Sequence, residues 1–220
     1  MNKLVITIIG ASALALSTVS IAANDNNSTA PTSGFFVTAG AGYAGTTGSA
    51  IDGIQVAQDL GSKAFDVNES NFMWKLGAGY NLNKHFGLEA DFISMPNVST
   101  TGKGDFVKAD KTKYIKNAWD IALLGKVMAP INDAISIDLK AGAAYASYKA
   151  GDGIVGTGIV INGKDVAAGK KVGQIVPVVG ADIDYAIGDH VAVGVGGMYM
   201  FEVNKTPASY TTSINLTYTL

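Results

Sequence analysis

At 220 residues with a formal charge of −2, the chain has length for one domain and no basic surplus to hold nucleic acid. It has no cysteine, which excludes disulfides, thiolate metal sites, cysteine nucleophiles and a lipid-anchored N-terminal cysteine. All 16 basic residues are lysine, so bidentate arginine clamps on phosphate or carboxylate are unavailable as well.

Residues 1–22 read as an export signal. Lys3 supplies the positive start, Leu4 to Leu16 the apolar stretch, and Ser20-Ile21-Ala22 the small side chains a signal peptidase reads. A short polar segment, 23–33, follows. From residue 34 onward the chain alternates apolar and polar side chains with a period of two, the mark of extended strands with one apolar face.

The first predicted strand, 34–44, carries Phe35, Val37, Ala39, Ala41 and Tyr43 on that face. The second, 71–81, carries Phe72, Trp74, Leu76, Ala78 and Tyr80, and the third, from His85, carries Phe86, Leu88, Ala90 and Phe92. Trp119, Ile121, Leu123 and Val127 mark the fourth; Ile135, Ile137, Leu139, Ala141, Ala143 and Tyr145 mark the fifth. The sixth carries Ile175, Val179, Ala181, Ile183 and Tyr185, with Pro177 inside it predicting a bulge or local break. The seventh carries Val191, Val193, Val195, Tyr199 and Phe201. The eighth runs through Tyr210, Thr212, Ile214, Leu216 and Tyr218 to Leu220.

The links between these strands alternate in length. Short turns lie at Leu82-Asn83-Lys84, Pro130 to Asp133 and Ile187-Gly188-Asp189, and longer links at 45–70, 95–115, 149–171 and 203–208. Aromatic residues gather at both strand ends: Phe35, Tyr80, Phe86, Tyr185 and Tyr218 near the turns, and Tyr43, Trp74, Phe92, Trp119, Tyr145, Tyr199 and Tyr210 near the long links. Two such belts suit headgroup interfaces, where amphipathic rings tolerate a half-wet position. The pattern predicts an all-β fold, an eight-stranded antiparallel up-and-down transmembrane β-barrel over 34–220. Its turns and both termini are expected in the periplasm, its long loops outside.

The opposite parity collects glycines and charges. Lys75, Lys126 and Lys140 are expected to face inward with Glu89, Asp91, Asp120, Asp138, Asp182, Asp184 and Glu202. The interior of a barrel this size is just wide enough for side chains to fill. Two readings follow: a polar network that plugs and stabilises the barrel, or a narrow cation-attracting path. With fewer lysines than carboxylates, some acids need water, a proton or hydroxyl partners.

Catalytic and cofactor signals are weak. The two histidines, His85 and His190, both fall at turns, far from where a lipid-acting base would be needed, and no metal-ligand spacing exists. Gly151-Asp152-Gly153-Ile154-Val155-Gly156 matches a dinucleotide motif by letter but has no parallel sheet or following helix around it. No cofactor is expected. In the second long loop, Lys103, Lys108, Lys111, Lys113 and Lys116 outnumber Asp105 and Asp110, which suits anionic partners, the phosphates of lipopolysaccharide first among them. A host surface ligand is a further candidate partner.

Phe72 to Asp91 reads as a glycine-rich strand ending in Gly-Tyr, an Asn-rich turn, then Phe-Gly-Leu-Glu. This hairpin resembles one that recurs in the small outer-membrane barrels of Gram-negative bacteria, the OmpA/OmpX and opacity-protein-like group. The terminal strand is similar to the signal read by the barrel-insertion machinery, with Tyr218 in place and Leu220 where that family usually has Phe. The resemblance implies an outer-membrane location and a choice among adhesins, serum-resistance factors, structural barrels and a few lipid-modifying enzymes. The expected role is non-enzymatic: envelope integrity with surface contact through the loops. A small cation-preferring, porin-like channel is the alternative, and a lipid-modifying enzyme a weaker one.

Overall fold

A computed structural model describes residues 33–47, 65–69, 71–102, 111–151, 158–161 and 164–220. It contains the strands β1 (Gly34–Thr47), β2 (Phe65–Glu69), β3 (Phe72–Asn81), β4 (Phe86–Ser94), β5 (Val98–Gly102) and β6 (Lys111–Pro130). These are followed by β7 (Ile135–Ala150), β8 (Gly158–Ile161), β9 (Lys164–Ala167), β10 (Lys171–Ala186), β11 (Val191–Met200) and β12 (Ala208–Thr219). Residues 1–32, with the expected export signal and nearly all of the polar segment after it, lie outside the described residues.

Eight of these strands close on themselves as an antiparallel barrel: β1, β3, β4, β6, β7, β10, β11 and β12. Closure is made by β1 against β12, where Val37 faces Tyr218, and the Leu220 N–H donates to the Phe35 carbonyl at 2.8 Å. Neighbours in sequence are neighbours in space throughout, which leaves no unpaired edge around the barrel wall.

The distribution of side chains is inverted relative to a water-soluble domain. Leu123 and Ile214 on the outer wall are 65% and 64% exposed, whereas Lys75 and Glu89 inside are 2% and 4% exposed. An apolar outer band around a charged interior is stable only in a bilayer. The aromatic belts are linked as well as aligned. On the loop side Trp74, Phe92, Trp119 and Tyr145 form an arc across four adjacent strands, with successive ring centroids 5.5, 6.1 and 5.8 Å apart. On the turn side Phe35 meets Tyr80 edge-on at 4.7 Å.

Two of the three short turns share one local device. Asn83 Oδ1 accepts from the backbone N–H of His85 and Phe86 at 2.8 and 2.9 Å, and Asn132 Oδ1 from Ala134 and Ile135 at 2.9 and 2.8 Å. An asparagine oxygen thereby takes the place of a backbone acceptor in both of these chain reversals. Leu82, Ile131 and Ile187, at equivalent turn positions, are all exposed, an aliphatic ring at the periplasmic rim.

Three sequence expectations need correction. Pro177 makes no bulge: it pairs in register with Ala143 across β10 and β7. Its carbonyl accepts from the Phe201 N–H at 3.0 Å, so the side that lacks an N–H faces Phe201, just past the end of β11. N–H and C=O of one residue in an antiparallel strand point the same way, so the missing donor falls where the neighbouring ladder has already ended. Second, the long links are partly strand. β5 and the start of β6 extend the sheet, β2 pairs with β5, and β8 with β9 forms a hairpin. Third, β11 stops at Met200 and leaves Phe201 outside it.

The barrel gives way to this rim at a bulge in β6. Lys116 pairs with Lys149 but Trp119 with Ser147, one extra residue on β6. Asn117 absorbs it at φ 51°, its N–H held by Asn97 Oδ1 at 2.8 Å. The inserted residue switches parity, so Ile115 above the bulge is buried although its odd number would place it outward below. With Tyr148, Ala150, Val166 and Val172 it forms a small second core in the rim.

Candidate functional site

The lumen has two storeys. On the periplasmic side an alternating chain of charges crosses it: Asp91, Lys75, Glu89, Lys140, Asp182. Lys75 Nζ lies 3.7 Å from Asp91 and 4.0 Å from Glu89, Lys140 Nζ lies 2.8 Å from Glu89, and Lys140 also pairs with Asp182. Lys126 pairs with Asp138 at 3.2 Å and sits 4.4 Å over the Phe36 ring. Because β6 lies between β4 and β7, the Glu89–Lys140 pair reaches over an intervening strand and ties walls that share no ladder.

Local sequence explains how such charges fit. Asp182 stands opposite Gly196, Asp184 opposite Gly194 and Asp91 opposite Gly77. A Cβ on any of these glycines would strike the facing carboxylate. The glycine-inward bias of the sequence is therefore a set of rooms for neighbouring side chains.

Above this layer the inner face is apolar. Met73, Ile93, Leu124, Val176, Val178, Met198 and Met200 are buried together with Ala44, Ala122, Ala144 and Ala146, and Met95 and Val203 pack against them. The sequence reading missed this storey. Around Met73, Ile93 and Val176–Val178 both faces of the strand are apolar, so alternation carries no contrast there. The signal that remained was the clustering of methionines at inward parity.

Among the described residues, two cavities flank these layers and share no lining residue. The periplasmic one, about 380 Å³, is lined by Glu89, Asp138, Asp182, Asp184, Lys126 and Lys140 among others. Asp184, half-buried, lines this same cavity. The extracellular one, about 50 Å³, lies beside Asp120.

Of the inward charges expected from the sequence, Lys75, Glu89, Asp91, Lys126, Asp138, Lys140 and Asp182 are buried in the ion-paired layer. Asp120 is buried apart from it at the outer end. Glu202 is a correction: it is exposed in the segment after β11, since the strand ends two residues before it and parity no longer applies. The loop lysines are scattered. Lys103 and Lys108 lie outside the described residues, Lys111 and Lys113 are on β6, and Lys116 is half-buried at the bulge. Tyr218 and Leu220 are exposed at the periplasmic end of the closing seam. Asp152 to Gly156 of the glycine motif lie outside the described residues. Both histidines are engaged by the backbone of a neighbouring strand: His190 Nδ1 is 2.8 Å from the Thr219 carbonyl of β12 and His85 Nδ1 3.4 Å from that of Met128 on β6.

Comparison with solved structures gives the same architecture. Neisserial surface protein A superposes with a TM-score of 0.52 at 17% identity, covering 86% of this chain and 100% of that one. The outer membrane protein OprG from Pseudomonas aeruginosa does so with 0.50 at 12% identity, covering 87% and 99%. No curated protein sequence matches. At such identities the likeness speaks for the fold. Residues 11–219 match the profile of the outer membrane protein beta-barrel domain, and the chain belongs to that family of Gram-negative outer-membrane barrels.

Proposed function

We propose that this protein is a sealed, non-enzymatic outer-membrane barrel that supports the envelope and makes surface contacts through its extracellular rim, delivered there by a cleaved signal over residues 1–22. The observation that carries this reading is the filled lumen: an ion-paired layer and an apolar layer stacked between two unconnected cavities. Such a barrel transmits nothing by itself, and its distinctive surface is the rim built by β2, β5, β6 and the β8–β9 hairpin. The histidines being tied to strand carbonyls at the turn end of the barrel supports the absence of a lipid-acting base.

Lys103, Lys108, Lys111, Lys113 and Lys116 make the second loop the natural contact for lipopolysaccharide phosphates or an anionic host ligand. The terminal Tyr218 and Leu220 serve insertion by the barrel-assembly machinery. The test is to replace the five lysines with glutamine and titrate purified lipopolysaccharide against both refolded proteins. Binding that weakens in the variant and falls with added salt is expected. Equal binding by the variant would remove the loop from this role.

A further inference from the structure

Three lysines stand side by side in one row of the sheet. Lys116 on β6 pairs in register with Lys149 on β7, and Lys149 pairs with Lys171 on β10. Residues paired this way share a face of the wall, with backbones about 5 Å apart. Like charges directly opposite one another repel and destabilise a sheet. Lys149 and Lys171 are exposed and Lys116 is half-buried. Among the described residues, neither Lys149 nor Lys171 has a carboxylate partner. An anion seated along the row turns this repulsion into attraction.

The direction and height of the row select the anion. On β7 the outward parity of Tyr145 carries through Ser147 to Lys149, so the row faces away from the lumen. It stands immediately above the level where Trp119 pairs with Ser147, at the upper edge of the loop-side aromatic belt. Lys171 reaches back to that belt, its Nζ lying 5.7 Å from the centroid of the Trp119 ring. Its ammonium is thereby held at headgroup height. Farther down the same strands, Leu123 and Ile175 are exposed on the lipid-facing wall. A ligand that satisfies both features lies in the bilayer, with its apolar part on that wall and its charge at the lysines.

We propose that Lys116, Lys149 and Lys171 form a lipid-phosphate site on the outside of the barrel wall, occupied by a phosphate of lipid A, the membrane anchor of lipopolysaccharide. Lysines suit this role as point charges on phosphate oxygens. The site rests on the lipopolysaccharide contact proposed for this protein, but moves the phosphate from the second loop to the wall. Only Lys116 is common to both. The bound phosphate joins β6, β7 and β10 where the barrel passes into its rim.

The test is titration of the full refolded chain in detergent micelles with purified lipid A and with the same lipid stripped of its phosphates, counting bound lipid by native mass spectrometry. Wild-type protein is expected to prefer the phosphorylated lipid by about tenfold, the scale of two lysines at an anionic lipid surface. Lys149→Gln combined with Lys171→Gln should remove that preference. Glutamine at Lys103, Lys108, Lys111 and Lys113 should leave it in place. A second readout follows from the repulsion: in neutral phosphatidylcholine vesicles the wall variant should resist urea at least as well as wild type, whereas added lipid A should raise the midpoint of wild type alone. If the loop variant loses the preference and the wall variant keeps it, the wall site is overturned and the loop contact stands. A wild type indifferent to lipid phosphate overturns both. Displacement of lipid A by an equal concentration of inorganic phosphate would mark a free-anion site and overturn the lipid assignment.

Discussion

Each inward aspartate at Asp91, Asp182 and Asp184 occupies the space left by a glycine on the next strand, so charge and glycine come as facing pairs. Gly196→Ala should push Asp182 away from Lys140 and cost about 1–3 kcal/mol, the usual penalty for overfilling a packed interior. Urea unfolding in lipid vesicles reads that loss directly. Lys140 serves two carboxylates at once, Glu89 and Asp182. Lys140→Met should cost about 3–5 kcal/mol by leaving Asp182 unpaired and Glu89 with only the longer Lys75 contact, and adding Glu89→Gln should recover part of the loss. These charges were legible in the sequence because a period of two separates faces wherever the faces differ. Met73, Ile93 and Val178 were not, because their neighbours Phe72, Trp74, Phe92 and Val179 are apolar too.

At the scale of elements, two of the chain reversals depend on single asparagines. Asn132→Ala removes the acceptor for two turn N–H groups and should cost about 1–2 kcal/mol, with the barrel still folding; thermal unfolding in detergent checks it. Asn83 stands in the equivalent position of the preceding turn, and the same substitution there should match in size. The strands and short turns were readable from alternation and turn chemistry. Strand ends were not. The bulge at Asn117 shifts parity by one, and Glu202 falls outside because β11 has already stopped. Pro177 looked disruptive because the sequence does not reveal on which side its absent N–H falls. The structure places it beside the finished end of a ladder, where the loss is small.

For the whole molecule, the loop sorting and the two aromatic belts were the grounds for the expected orientation, and the inverted burial of Leu123 against Lys75 gives the bilayer setting its physical basis. What the sequence did not disclose is that the extracellular links continue as sheet with a small core of Ile115, Tyr148 and Val166. Polar, lysine-rich stretches read as solvated loops because their few apolar residues meet only after the strands extend. The two storeys of the lumen make one claim that outranks the rest: water on the periplasmic side does not reach the outside. The measurement that bears on it most directly is single-channel recording of the refolded barrel in a planar bilayer, with insertion verified independently, through a voltage ramp. The expected result is silence at all voltages below membrane breakdown. Steady cation-selective openings would contradict a sealed barrel and make Glu89, Asp138, Asp182 and Asp184 the lining of a working pore.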